Sequence, residues 1–179
     1  MLSYAITDKV NFSFSKAKDD LERISKKADF ILYRDKTNPN YKSDVKRFVS
    51  LAKEFDLERV FIQNDIDLAL ELGVSIHFSS SNISKISEAK SKNLFVIASC
   101  HNEDEIARAK SFGVDMVTLS PLFATPNKGT PLGAKRFKEL VEFAKIPVIA
   151  LGGITSKEQI DLALALGAVG FASIRYFAK

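Results

Sequence analysis

Short apolar segments alternate with amphipathic ones along the whole chain. This alternation limits the possible folds more than any other feature. Ser3–Thr7, Asp29–Arg34, Arg59–Gln63, Val74–Phe78, Leu94–Ser99, Asp115–Leu119, Pro147–Leu151 and Val169–Ile174 read as strands, rich in Val, Ile and Phe. Apolar runs of this length suit parallel strands buried on both faces. Between them, Ser15–Ala28, Tyr41–Phe55, Asp65–Leu72, Ile83–Lys92, Asn102–Phe112, Ala134–Ala144 and Ser156–Leu166 read as helices. Gly73, Gly113 and Gly167 fall where a helix gives way to the next strand, a position that favours glycine. The pattern predicts an α/β fold, a single (β/α)8 TIM barrel domain over residues 1–179. A doubly wound open sheet is the alternative, but no Gly-x-Gly-x-x-Gly follows the first strand. The sequence stops at Lys179, so an eighth outer helix is expected to be missing. The apolar outer wall near the last and first strands would then be exposed, which predicts a homodimer.

Composition narrows the functional classes. The chain is 46% hydrophobic and 27% charged, ordinary for a soluble protein, and no apolar run approaches a membrane span. No secretory pattern opens the sequence, and Cys100 is the single cysteine, so a reducing cytoplasm is expected and an internal disulfide is excluded. The net charge is +4, yet the lysines are scattered among acids without interleaved aromatics. Nucleic acid and membrane are therefore not expected partners; small anionic substrates are.

In a barrel of this kind the reactive groups stand at the C-terminal ends of the strands. Arg34 and Lys36 face the same way in an extended segment, and with Lys128 and Arg175 would form a cationic mouth. Gly152-Gly153 ends the seventh strand, where loops commonly hold a phosphate on backbone N–H groups. Asp65 could hold Mg²⁺ beside a diphosphate or simply cap the third helix. Asn82 suits a helix cap. His77 and His101 read as structural, and Cys100 as buried in the apolar shell.

Taken in order, several motifs resemble the thiamine-phosphate synthase and thiazole tautomerase family. They are Tyr4-Ala-Ile-Thr-Asp8, Arg34-Asp-Lys36, Asn64-Asp65-Ile-Asp-Leu-Ala-Leu70, Ile76-His77, Ser99-Cys-His101, Ser120-Pro-Leu-Phe-Ala-Thr-Pro-Asn-Lys128 and Leu151-Gly-Gly-Ile154. The resemblance implies a β/α barrel, commonly dimeric. It implies an enzyme that couples an aminopyrimidine-methyl diphosphate to a thiazole phosphate, releasing diphosphate with Mg²⁺. By position, it implies that Arg34, Lys36, Asn64, Ser99 and Lys128 hold the diphosphate and assist its departure. Thr125, Asn127, Gly152, Gly153 and Arg175 fall on the thiazole-phosphate side, and Asp65 and Asn82 on the metal.

Some positions depart from the family. Leu32 stands where the resemblance places a glutamine that reads the pyrimidine, and Asn82 where it places a second metal-binding aspartate. Ser79-Ser80 replaces a Gly-Gln, Asn127 a threonine, and Arg175 a serine. The tautomerase's distinguishing histidine would fall at Pro121. Three readings stay open: a synthase, a non-catalytic relative that binds thiazole phosphate or thiamine phosphate, and another phosphate-handling barrel enzyme such as an isomerase.

Overall fold

The computed structural model describes all residues from Met1 to Lys179 except Lys36, Asn127 and Lys128. Eight parallel strands close into a barrel in sequence order. They are β1 (Leu2–Ile6), β2 (Phe30–Leu32), β3 (Arg59–Gln63), β4 (Ser75–Phe78), β5 (Val96–Cys100), β6 (Met116–Leu119), β7 (Val148–Leu151) and β8 (Gly170–Ser173). The outer helices are α1 (Ala17–Ser25), α2 (Tyr41–Ala52), α3 (Ile66–Leu72), α4 (Ile86–Ser91), α5 (Glu103–Ser111), α6 (Gly133–Ala144) and α7 (Lys157–Ala165). The expected alternation is present throughout. A doubly wound sheet is excluded by the β1–β8 pairing, which runs from Leu2 opposite Gly170 to Ala5 opposite Ser173.

Each strand buries both faces. Tyr4, Phe30, Leu32, Phe61, Ile97, Ile149 and Ala172 fill the barrel interior. Ile31, Ile62, Ile76, Val96, Val117 and Val148 pack outward under the helices. Gly73 ends α3 with φ 62°, the left-handed cap its position predicts.

Local differences from the expected boundaries have physical causes. The fourth helical segment begins as a 3-10 helix at Ser80–Lys85, and α4 proper covers only Ile86–Ser91. Its Ser-Ser-Asn start offers side-chain partners to the backbone and competes with α-helical bonding. A 3-10 turn, Phe14–Lys16, also precedes α1.

The expectation of an exposed wall beside β8 and β1 is corrected. Among the described residues, β8 is followed by a 3-10 turn, Arg175–Ala178, that folds back onto the barrel. Phe177 is fully buried and stacks on Phe171, with ring centroids 5.8 Å apart and planes 1° from parallel. Arg23 binds the Phe177 carbonyl, and Lys27 Nζ reaches the Lys179 carbonyl at 2.9 Å. One buried phenyl ring contributes about 1.5–3 kcal/mol. This short turn therefore covers the surface that was expected to need a partner.

Candidate active site

At the C-terminal end of the barrel lies a cavity of about 370 Å³. Of the residues singled out in the sequence, Arg34, Ser99, Thr125, Gly152, Gly153 and Arg175 line it. All eight strands deliver cavity residues through their ends or the loops after them, β4 with His77 and β6 with Ser120 among them.

Two arginines and one carboxylate, Asp8, line the cavity, and neither arginine is ion-paired among the described residues. Arginine ion pairs among the described residues involve Arg23, Arg108 and Arg136, not Arg34 or Arg175. The Arg34 backbone N–H donates to Thr7 Oγ1 at 2.9 Å, which ties the β2 end to the β1 end. Lys36 and Lys128, the other two expected cations, and Asn127 lie outside the described residues.

The glycine pair has two roles in the geometry. Gly152 and Gly153 have φ of 103° and 73°. A Cβ on Gly153 would sit 2.7 Å from both the Ala124 carbonyl oxygen and Phe123 Cβ. The β6–α6 loop is laced onto this strand end, Leu122 N–H to the Leu151 carbonyl at 2.9 Å and Phe123 N–H to the Gly152 carbonyl at 3.0 Å. Close backbone approach alone therefore requires glycine here. The N–H groups of Gly152 and Gly153 donate to no described residue and stand at the cavity wall. The α7 N-terminus is a different matter. Its capping box spends the Thr155 and Ser156 N–H groups on Gln159 Oε1 at 2.8 and 3.2 Å. An anion would meet the loop amides rather than the first turn of the helix.

Asn64, Asp65 and Asn82 are not in the cavity wall. Asn64 adopts φ 61°, and its Oδ1 accepts the Ser79 N–H at 2.9 Å. Asn82 Nδ2 donates to Ser79 Oγ at 2.8 Å. Asp65 is the N-cap of α3, accepting the Leu68 N–H at 3.0 Å, and its other oxygen lies 3.6 Å from Lys42 Nζ. The cap reading of Asp65 is thus realised in the fold. Among the described residues no cluster of three or more His, Cys, Asp or Glu side chains is arranged for a metal. Cys100 is buried, and burial with the nearby Glu105 pushes its thiol up to about 12. It has no nucleophilic role at neutral pH.

The sequence underrated His77. Its ring is buried in the cavity floor and bonded at both nitrogens, Nδ1 to the Tyr4 hydroxyl and Nε2 to Ser99 Oγ, each at 2.9 Å. Tyr4 is fully buried, and His77 is the partner of its hydroxyl among the described residues. The Tyr4 O–H must donate, so Nδ1 accepts and Nε2 carries the hydrogen. Ser99 Oγ then accepts from His77, and also from Thr118 Oγ1 at 3.4 Å. Its own hydrogen is left to point into the cavity. Tyr4 and His77 thereby make Ser99 a donor, which is the polarity a phosphate oxygen requires.

Burial, with help from the Arg34 charge, lowers His77 to about 3. The unfolded chain would take up that proton near its ordinary 6.5, so below that value the unfolded state binds more protons. Stability is expected to fall by roughly 1.4 kcal/mol per pH unit as pH drops from about 6.5 toward about 3. Imidazole ¹⁵N spectra should show the neutral Nε2–H tautomer throughout that window. A midpoint near 6.5, or the Nδ1–H tautomer, would contradict the donor chain.

The family model and the curated relatives point to one family. The family model described as thiamine monophosphate synthase matches residues 3–177. A thiamine-phosphate synthase of Methanoculleus marisnigri is 31% identical over 183 residues, covering 96% of this chain and 84% of that protein. One of Pediococcus pentosaceus is 31% identical over 127 residues, 67% of this chain, and the match spans only 58% of that relative's length. Among solved structures, a thiamine phosphate pyrophosphorylase from Pyrococcus furiosus superposes with a TM-score of 0.80 at 27% identity. That match covers 97% of this chain and 85% of the other.

Proposed function

This chain belongs to the thiamine monophosphate synthase family, and from that premise we propose that it joins an aminopyrimidine-methyl diphosphate to a thiazole phosphate, releasing diphosphate, in the cytoplasm. The observation that supports this reading best is the convergence of anion-binding groups on one cavity. Arg34, Arg175, the Ser99 hydroxyl and the N–H groups of Gly152 and Gly153 all face it, and no ion pair among the described residues neutralises either arginine.

The chemistry fits these residue types. In a dissociative coupling, diphosphate leaves an electron-rich pyrimidine methyl carbon and the thiazole nitrogen attacks the cation that remains. The protein must stabilise charge on the leaving group and hold the two reactants together. Arg34 and Ser99 are the proposed contacts of the departing diphosphate, with Asn64 behind them and Lys36 and Lys128 completing the set. Arg175, Thr125, Asn127 and the glycine amides are the proposed holders of the thiazole phosphate. Arg175 can bind such a phosphate in bidentate fashion.

The residues also fit Mg²⁺ in its usual manner of one or two carboxylates plus phosphate oxygens. Among the described residues, the second oxygen of Asp65 is paired with Lys42, whose side chain is 77% exposed. Asn82 turns its Nδ2 toward Ser79, which leaves its amide oxygen available. Asp65 and Asn82 would hold the ion, which supplies positive charge against the leaving diphosphate.

Asp65→Asn separates the metal role from the cap. Asparagine caps a helix about as well as aspartate, so the unfolding midpoint should move little. Magnesium-dependent turnover should nevertheless be lost. Asn82→Asp should act oppositely, with a rate gain of roughly tenfold if the added charge stabilises the transition state by about 1.4 kcal/mol. Parent-like Mg²⁺ titrations for both variants would remove the metal assignment and leave Asp65 as a cap.

A second reading rests on a specific departure. The apolar Leu32 and the neutral Asn82 would suit a relative that binds thiazole phosphate or thiamine phosphate without turnover. Formation of thiamine phosphate from the two substrates separates these readings. A second copy of the chain is also a proposed partner, through a face other than the wall that Phe177 covers; a monomeric mass at tens of micromolar would contradict it.

A further inference from the structure

Gln63 is the last residue of β3, and its inward direction follows from the strand alternation. Phe61, two residues earlier, is fully buried inside the barrel with Tyr4, Phe30 and Leu32. Gln63 therefore points the same way, one layer higher, where it lines the cavity beside Leu32 and His77. Its backbone is fixed by Tyr41, whose hydroxyl lies 2.9 Å from the Gln63 nitrogen and 3.5 Å from its carbonyl oxygen.

The carboxamide itself hydrogen-bonds to no described residue. His77, its neighbour across the β3–β4 register, cannot serve, because both ring nitrogens are already engaged. On the neighbouring strands Leu32 and Arg34 stand to one side and His77 to the other, and Ile6, Leu151 and Ala172 add apolar wall elsewhere in the same cavity. Gln63 is half-buried, so water meets the amide in the free protein, and a ligand that displaces that water must replace its hydrogen bonds. The carboxamide offers one acceptor oxygen and two N–H donors on a planar group. Its complement is a flat ring edge carrying an acceptor nitrogen next to an amino group, with apolar faces to lie against the aliphatic wall.

We propose that Gln63 reads the amino-substituted edge of the substrate's pyrimidine ring, from the strand next to the one that carries Leu32. The inference rests on the synthase reading of this cavity and assigns its ring-recognition side. Arg34 and Ser99 would take the diphosphate, while Gln63 would choose the heterocycle attached to it.

The test is titration calorimetry with Mg²⁺ on the parent and Gln63→Leu. The probes are the aminopyrimidine-methyl diphosphate, its analogue with hydrogen in place of the exocyclic amino group, and inorganic diphosphate. The parent should prefer the amino compound by roughly tenfold or more, the worth of about one net hydrogen bond. Gln63→Leu should lose that preference. Both proteins should bind inorganic diphosphate equally, which also shows that the variant folds. Gln63→Glu keeps the acceptor for the amino group but loses the donors to the ring nitrogen, so it should bind both pyrimidines more weakly while retaining the amino preference.

Equal discrimination in parent and Gln63→Leu would overturn the assignment while leaving the synthase reading in place. Discrimination lost in Gln63→Leu, in a parent that binds but does not turn over, would uphold the assignment and overturn the activity. A parent that binds neither pyrimidine would overturn both.

Discussion

Arg34→Ala is expected to lower kcat/KM for diphosphate release by roughly 10²-fold or more, the scale of losing one preorganised charge-stabilising group. Arg34 lines the cavity, and the described ion pairs of the fold do not use it. The loss should therefore fall on chemistry rather than on folding. The unfolding midpoint should stay close to the parent's, since the backbone N–H bond to Thr7 survives the substitution. Arg34→Lys should recover only part of the rate, because an ammonium cannot reproduce two parallel donors. The same removal should raise the His77 pKa slightly, since Arg34 is one of the two causes that depress it. Unchanged steady-state kinetics in Arg34→Ala would place the diphosphate elsewhere.

Gly170→Ala is expected to have the largest effect on stability. Gly170 opens β8 and pairs with Leu2 at the seam that closes the barrel. An added Cβ would overlap the Leu2 carbonyl oxygen and come within 2.6 Å of Leu2 Cβ. Neither is the far end of a flexible side chain, so the strands must separate. A loss of about 3 kcal/mol, the top of the usual overpacking range, is expected. For a chain of this size that lowers the unfolding midpoint by about 6–12 °C. A parent-like midpoint would mean that the seam tolerates more spacing than its register implies.

The alternation of elements was legible because apolar strand runs and amphipathic helix runs differ in period. β3 was read residue for residue as Arg59–Gln63. Helix starts rich in Ser and Asn were less legible, as the 3-10 helix at Ser80–Lys85 shows. The Phe177 turn was missed because four residues with two aromatics carry no periodicity.

The candidate site was legible in part. Residues at strand ends could be ranked by charge, and Arg34, Ser99 and Arg175 do meet at one cavity. Inward and outward positions could not be separated, because parallel strands are apolar on both faces. That is why Gln63 drew no notice and His77 was read as merely structural. Only the closed barrel reveals that Tyr4, His77 and Ser99 form one hydrogen-bonded chain. Asp65 kept both of its roles open, since a cap and a metal ligand ask for the same residue at the same place.

The central claim is most directly tested by diphosphate release from purified protein given both substrates and Mg²⁺. The account predicts release matched mole for mole by thiamine phosphate, abolished by chelation and strongly reduced in Arg34→Ala. No release above the protein-free background, in a sample that binds thiazole phosphate, would contradict it and leave a binding protein in its place.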